Sequence, residues 1–171
     1  MAAVEPCGIP GGALLLRYQD GEGYADCFVT EVEGDVSQAQ FIEAFYTTRL
    51  FKVERAILKW FASRPSTDLD AKALAGGSAS TFAAWRVEDR TPGQLLLADF
   101  TGRTRSWLMA VSAGGRTRLH FGSAVTPITD ARTGRAAMGT GFRLLLGFHK
   151  LYSRLLLRSA RSKILSNDRK A

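Results

Sequence analysis

Two polar side chains, His149 and Glu54, lie within stretches of apolar residues that have helical spacing. An imidazole can gain or lose a proton near neutral pH, so His149 is suited to act as a general acid or base. A carboxylate buried without a partner costs free energy, so Glu54 must be paired, protonated or placed at the wall of a polar pocket. We therefore consider both residues as candidate catalytic or ligand-binding groups. The structural alternatives are a neutral core histidine and an ion pair between Glu54 and Arg103 or Arg105.

The two candidates belong to different predicted helices. Glu54 falls in a helix predicted over residues 49–63, which ends before Pro65 because proline disfavours helical backbone at the preceding residue. His149 falls in a longer helix predicted over residues 141–162. The apolar arc of this longer helix is wider than one contact with a sheet requires, so a second element, a dimer partner or a membrane must cover its far edge.

An antiparallel sheet is predicted between these helices. Alternating apolar and polar residues and short glycine-containing connections indicate strands at about 80–89, 94–100, 103–113 and 116–127, after earlier strands at 24–32 and 13–18. One face of this sheet is expected to be covered. His120 alternates onto the polar side of its strand and is predicted to be solvated, and residues 128–141 are predicted to be a loop.

The remaining composition is that of an ordinary globular chain. Its 171 residues fit one domain, with residues 1–12 predicted as a disordered leader and residues 13–171 as a single folded domain. The sequence has no run of about 18 apolar residues and no secretory signal, so we expect a cytoplasmic protein. Cys7 and Cys27 lack the spacing of a metal motif, and we expect reduced thiols with no metal and no cofactor.

The net charge of +7 is confined to one end of the chain. Residues 1–141 carry 15 basic and 15 acidic side chains, whereas residues 142–171 carry eight basic side chains and one acidic side chain. A solvated face, a dimer contact and a peripheral contact with an anionic membrane all remain open for this helix. Nucleic acid is a weaker hypothesis, because no aromatic stacking platform accompanies the charge. Five basic residues share one arc of the predicted helix, namely Arg143, Lys150, Arg154, Arg158 and Arg161, and a membrane contact is expected through the last four.

The order of the predicted elements, a strand, helices, an antiparallel meander and one long helix, resembles the START-like (SRPBCC, helix-grip) superfamily over residues 24–160. Four segments also resemble an uncharacterised bacterial family sometimes appended to sugar-nucleotide epimerases: Phe45-Tyr46-Thr47-Thr48, Phe51-Lys52-Val53-Glu54-Arg55, Thr104-Arg105-Ser106-Trp107-Leu108 and Phe148-His149-Lys150-Leu151-Tyr152. The resemblance implies an α+β, helix-grip fold. In that fold a curved antiparallel sheet of five to seven strands wraps around a long C-terminal helix, with helices inserted after the first strand.

The resemblance also implies a cavity between the sheet and the last helix. Members of the superfamily are mostly binders of apolar ligands, and some are cyclases or hydrolases. We therefore expect this chain to bind a small, mainly apolar ligand. The alternatives are an enzyme that uses His149 or Glu54 as acid or base, and an interaction protein that uses its basic C-terminal helix. The expected ligand contacts are Glu54, Trp85, Trp107, His149 and Tyr152.

Overall fold

A seven-stranded antiparallel sheet forms the centre of the computed structural model, which describes residues 3–20, 23–53, 55, 65–129, 136–137 and 142–168. The strands lie in the order β1-β2-β7-β6-β5-β4-β3. Their bounds are β1 (Glu5–Pro6), β2 (Tyr24–Glu33), β3 (Thr81–Phe82), β4 (Trp85–Thr91), β5 (Gln94–Asp99), β6 (Thr104–Ala113) and β7 (Arg116–Val125). The described fold is therefore mixed α+β, and seven strands agree with the upper end of the predicted number.

Helices precede and follow the meander of strands. A 3-10 helix (Leu14–Tyr18) comes before β2, and α1 (Gln38–Tyr46) follows it. Residues 49–53 and 55, here α2, are helical; the rest of the predicted 49–63 helix lies outside the described residues. Helix α3 (Asp68–Ala75) leads into β3, and α4 (Phe142–Asp168) ends the described chain. A small separate sheet pairs β8 (Ile128–Thr129) with β9 (Ala136–Ala137), in a region predicted to be loop.

Local sequence explains several of these boundaries. Ser37 and Gln40 form the reciprocal capping box that their spacing predicts, and this satisfies two backbone amides at the start of α1. Gly114 and Gly115 have φ values of 61° and 74°, which the tight turn between β6 and β7 requires. This hairpin fixes which side chains of β7 point to each side of the sheet.

Helices cover one side of the sheet, which we call the front face. Helix α4 packs on β2 and β7 and against α1. Apolar side chains from the strands, α1, α3 and α4 meet there in one buried cluster, which includes Phe28, Phe41, Phe45, Leu74, Leu97, Phe121, Leu156, Leu157, Ala160 and Ile164. Among the described helices, none is both long and apolar enough to cross a bilayer.

The opposite side of the sheet, the back face, is also covered, whereas the alternation predicted only one covered face. Leu15 of the 3-10 helix is fully buried there with Trp107 and Leu96. The side chain of Gln94 accepts hydrogen bonds from the backbone of Leu14 and from Trp107 Nε1, at 2.8 and 2.9 Å. A second hydrophobic layer therefore lies behind the sheet.

Two predictions about the N-terminal segment are wrong. The predicted strand over residues 13–18 is a 3-10 helix, which lays its leucines on the back face. The leader over residues 1–12 was expected to be disordered, but Glu5 and Pro6 pair with Val29 and Phe28 as the edge strand β1. Proline is acceptable at this position because an edge strand needs hydrogen bonds on one side only.

Candidate functional site

Three polar side chains meet on the front face where α4 passes over β2 and β7. The register places Asp26 of β2 directly opposite Ser123 of β7. Ser123 Oγ lies 2.6 Å from Asp26 Oδ1 and 2.6 Å from Nε2 of His149. Asp26 Oδ2 is 3.8 Å from the same imidazole nitrogen. Ser123 is buried, whereas the side chain of His149 is 29% exposed, so the histidine is the open end of the chain of contacts.

The chemical nature of Asp26, Ser123 and His149 decides which of them donates and which accepts each hydrogen bond. An ionised carboxylate can only accept hydrogen bonds, so Ser123 donates its single hydroxyl hydrogen to Asp26. The Ser123 oxygen then accepts a hydrogen bond from Nε2 of His149. A neutral His149 therefore carries its hydrogen on Nε2 and has its lone pair on Nδ1. We call this series of contacts, from Asp26 through Ser123 to His149, the relay. It orients the imidazole as a hydrogen-bond acceptor or base at Nδ1.

Tyr24 supports the carboxylate from the other side. Its hydroxyl donates to Asp26 Oδ2 at 2.8 Å, so Asp26 receives hydrogen bonds on both oxygens. Burial, and then the hydrogen bond to Asp26, raise the pKa of Tyr24 well above its ordinary value, so this hydroxyl remains a donor. The ring of Tyr24 also meets the imidazole of His149 edge to face, with centroids 6.5 Å apart. These contacts fix the position of the histidine.

Helix α4 continues along β2 beyond the relay. The guanidinium of Arg154 lies 5.9 Å from the ring centre of Phe28, and Arg161 Nε donates to the carbonyl of Glu31 at 3.0 Å. We call the contact between these two elements, from His149 to Arg161 on the helix, the α4–β2 seam. Ser153, one turn after His149, is fully buried, and its hydroxyl has no hydrogen-bond partner among the described residues.

Thr30 on β2 has a second hydroxyl of this kind. Thr30 points to the front face because it lies two residues after Phe28 and four after Asp26 along the same strand. Buried hydroxyls normally find a partner, and those that do not are unusual enough to need an explanation. The two hydroxyls without a described partner therefore mark this part of the molecule as a place where a polar group of a ligand or a water is expected.

The relay contains a serine, a histidine and a carboxylate, but it differs from a hydrolytic triad. In such a triad the carboxylate orients the histidine through the ring nitrogen that does not touch the serine. Here Asp26 lies beside the same nitrogen, Nε2, that contacts Ser123. Ser123 is 2% exposed and gives its hydrogen to the carboxylate, so it is poorly placed to attack a substrate.

The structure places Trp85 and Trp107 apart from His149, although all three were expected to line one ligand cavity. Glu54 lies outside the described residues. Trp107, expected as a ligand contact, faces the back of the sheet and is fully buried there, on the side away from α4. Trp85 is on the front face but on β4, which is three strands from β7. Tyr152 is half-buried against the front-face core, on the helix that carries His149.

Arg105, one of the two arginines expected to pair with Glu54, makes its contacts on the back face. Its Nε donates to Glu88 Oε2 at 3.0 Å, and both side chains are mostly buried. The guanidinium of Arg105 also stacks 4.6 Å from the ring centre of Tyr18. Arg105 points to the back face, because it alternates with front-face positions on β6. Its role is therefore to fasten the 3-10 helix to the sheet.

Sequence reasoning missed Asp26, Ser123 and Tyr24 as partners of His149. Tyr24 and Asp26 lie four and two residues before Phe28, so they share its face of β2. Polar residues on this otherwise apolar face were the signal that could have identified them. The pairing register that joins Asp26 to Ser123 could not be derived from either strand alone.

His120 was also assigned to the wrong environment. It was predicted to be solvated, but it is 8% exposed on the back face, close to Cys7 and Cys27. Burial lowers the pKa of His120 and raises the pKa of both thiols. The alternation correctly placed His120 opposite the front-face core, and the covering of the back face decided its burial.

No protein-family model matches the chain, and no curated protein matches it. Among solved structures, the crystal structure of CalU16 from Micromonospora echinospora, a structural-genomics target, has a TM-score of 0.33 and 15% identity. That match covers 95% of this chain and 92% of the other. The solution NMR structure of CalU16 has a TM-score of 0.33 and 12% identity, covering 97% and 95% of the two chains. Similarity at this level carries no argument about function.

Proposed function

We propose that the protein binds a small, largely apolar molecule with a hydroxyl group at the α4–β2 seam, and that His149 makes the principal polar contact. The observation that carries this proposal is the relay from Asp26 through Ser123 to His149. Mainly apolar binding sites usually orient their ligand with a few fixed polar groups. His149 is such a group, because Ser123 and Asp26 hold its imidazole and the side chain is 29% exposed. In this proposal the chain has a helix-grip arrangement, with α4 lying across the sheet.

The chemistry of the relay supports a hydroxyl on the ligand. With Nε2 engaged by Ser123, the free lone pair of a neutral His149 is on Nδ1 and accepts a hydrogen bond. A phenol or alcohol supplies the donor that this atom needs. Ser153, one turn further along α4, is fully buried, so its hydroxyl would meet only a polar group that enters the contact between α4 and β2. The surrounding apolar surface, with Tyr152 at its edge, would contact the hydrocarbon part of the molecule.

Two probes of nearly equal shape test this proposal. The fluorescent phenol 2-naphthol has a hydroxyl donor, whereas 2-methoxynaphthalene does not. We expect 2-naphthol to bind the protein more tightly, and His149→Phe to weaken its binding by about fivefold, since one hydrogen bond contributes about 1 kcal/mol. The same variant should change the Kd of 2-methoxynaphthalene by less than about twofold. Fluorescence titration measures both constants.

A matched variant separates this effect from a general effect on α4. Arg158 is exposed on the same helix, so Arg158→Gln should leave the Kd of 2-naphthol unchanged. Ser123→Ala should weaken 2-naphthol binding, because His149 then loses the contact that fixes its tautomer. The proposal would be wrong if 2-naphthol bound no better than its methyl ether, or if His149→Phe bound both probes like the unmodified protein.

A second candidate function is supported by the outer side of α4. Leu151 and Leu155 are 57% and 42% exposed, and they lie beside Arg154 and Arg158 around a groove of about 500 Å³. Exposed leucines next to arginines on one helix face suit an anionic lipid surface, because the apolar side chains enter the interface and the cations meet the headgroups. We therefore also propose peripheral membrane contact through this face.

A further inference from the structure

Two cysteines that are distant in sequence face each other across the edge of the sheet. The antiparallel pairing of β1 with β2 continues to Cys7, whose amide donates to the carbonyl of Cys27 at 2.9 Å. This register brings the two sulfur atoms to 3.0 Å from each other. Cys27 is buried and Cys7 is half-buried, and both are free thiols. The pair lies on the back face, away from the α4–β2 seam.

A histidine from the next strand completes the group. His120 of β7 is paired with Val29 of β2 and points to the same back face as Cys27. Its Nδ1 atom lies 3.9 Å from Cys7 Sγ and 4.0 Å from Cys27 Sγ. The imidazole is therefore almost equally distant from both sulfurs, and all three atoms lie within 4.8 Å of one another.

The size and donor set of this triangle suit a zinc ion. Zinc bonds thiolate sulfur at about 2.3 Å and imidazole nitrogen at about 2.0 Å, so a tetrahedral site has sulfurs about 3.8 Å and sulfur and nitrogen about 3.5 Å apart. The observed separations differ from these values by less than about 1 Å. Cys7 lies on the exposed edge strand and is half-buried, so a small rotation of its side chain is enough to open the sulfur pair.

The surroundings also favour a cation over a simple thiol pair. Two thiolates and one neutral imidazole balance the charge of Zn²⁺, so a buried complex would carry no net charge. Three protein ligands leave the fourth position open. A surface groove of about 520 Å³ next to the cluster is lined by Pro6, Val29, Glu31 and Arg118. Water or a small ligand has access to the open position from this groove.

We propose that Cys7, Cys27 and His120 form a site for one zinc ion, with a fourth coordination position open to the groove beside β1. The site would join three strands, because its ligands come from the end of β1, from β2 and from β7. It would fasten the short edge strand and the segment that continues into the 3-10 helix. The proposal is independent of ligand binding at the α4–β2 seam, since the two sites lie on opposite faces of the sheet.

Cobalt(II) provides a direct test, because it replaces zinc at thiolate sites and gives visible absorption when it does. We expect one equivalent of Co²⁺ to bind the reduced full-length chain with thiolate-to-metal charge-transfer and tetrahedral ligand-field bands. One equivalent of Zn²⁺ should remove these bands. Cys7→Ser, Cys27→Ser and His120→Gln should each weaken Zn²⁺ binding at least about tenfold, since even outer partners of zinc ligands cost about 10–100-fold when lost.

The other histidine of the chain provides the matched control. His149→Gln removes an imidazole from the opposite face, so it should bind Zn²⁺ with unchanged affinity. If the variants of the buried residues fail to fold, Cys7→Ser carries the test, because Cys7 is half-buried on an edge strand. The proposal would be overturned if Co²⁺ gave no thiolate band. It would also be overturned if mass spectrometry showed a Cys7–Cys27 disulfide in protein purified under reducing conditions.

Discussion

Asp26 and Cys27 are neighbours in the chain but belong to opposite faces of the sheet. Successive side chains of a strand point to opposite sides, so Asp26 meets Ser123 and His149 on the front while Cys27 meets Cys7 on the back. A slip of one residue in the pairing of β2 with β7 would exchange the two environments. Both proposed sites therefore depend on the same register.

Gly122 is closely enclosed on the back face, where it lies opposite Cys27 in β2 and Trp107 in β6. A Cβ atom at this position would lie 2.5 Å from Leu15 Cδ2, 2.8 Å from the carbonyl oxygen of Asp26 and 3.0 Å from Trp107 Cε3. We expect Gly122→Ala to lower the free energy of unfolding by about 1–3 kcal/mol through overpacking. Urea denaturation measures this change.

The same substitution at Gly147 should have the opposite effect. Gly147 is exposed on α4, and a Cβ added to it would meet no atom of the described residues outside its own turn of helix within 4 Å. Alanine is favoured over glycine inside a helix by about 0.5–1 kcal/mol, so Gly147→Ala should raise the urea midpoint. Equal destabilisation by both variants would contradict the packing explanation for Gly122.

At the scale of elements, α4 divides into two sides with different tasks. Leu157 and Ile164 are buried in the front-face core, where α4 also packs against α1, so a second element covers this part of the wide apolar arc. Leu151 and Leu155 also belong to the apolar arc of this helix, but they are largely exposed. Arg161 was grouped with the other basic residues of one helix arc, but it is half-buried and donates to the backbone of β2.

From the exposed leucines and arginines of α4 we predict binding to anionic membranes. We expect the protein to bind vesicles that contain phosphatidylserine, and to bind pure phosphatidylcholine vesicles much less. Replacing Leu151 and Leu155 with glutamine should weaken binding at every salt concentration, because it removes apolar contact. Replacing Arg154 and Arg158 with glutamine should abolish the salt-dependent part. Vesicle co-sedimentation measures both effects.

Arg161→Gln is the control that distinguishes this face from net charge alone. Arg161 lines the same groove, but it is half-buried and its Nε donates to the backbone carbonyl of Glu31, so this variant removes a positive charge that is less exposed than those of Arg154 and Arg158. We expect its vesicle binding to stay close to that of the unmodified protein. If the loss of Arg161 weakened binding as much as the loss of Arg154 or Arg158, or if all variants bound alike, the proposed membrane face would be wrong.

At the scale of the whole molecule, one sheet separates two cores that are covered by different parts of the chain. Helices after β2 and the last helix cover the front, and the N-terminal segment with the 3-10 helix covers the back. The back cover is fastened by polar contacts as well. Arg17 donates to Asp89 at 2.5 Å, and Tyr18 donates to Glu88. The N-terminal segment therefore has a structural role in addition to supplying Cys7.

The whole front core depends on α4, and this leads to a stability prediction. Leu157 is fully buried, so Leu157→Ala should lower the free energy of unfolding by about 2–5 kcal/mol, as other buried leucine truncations do. Removing residues 142–171 should abolish cooperative unfolding, because the front faces of β2, β7 and α1 would lose their cover. A truncated chain that still unfolded with one sharp thermal transition would contradict this role.

Much of the architecture could be predicted from local patterns. Alternation along β6 and β7 identified the strands, the spacing of Ser37 and Gln40 identified the start of α1, and helical periodicity identified α4. His149 was singled out because a polar residue within an apolar arc is unusual. Each of these signals depends on residues that lie close together in the sequence, so the sequence by itself determined them.

Tertiary structure alone decided which of these residues meet. The relay joins residues 26, 123 and 149, and the proposed zinc ligands are residues 7, 27 and 120, so neither group has a short spacing that reveals it. Trp107 was expected to line the same cavity as His149, but it faces the back of the sheet. Alternation along a strand does not say which face the helices cover. Strand pairing and the covering of both faces depend on contacts between residues that are distant in sequence. These contacts determine which polar side chains come together.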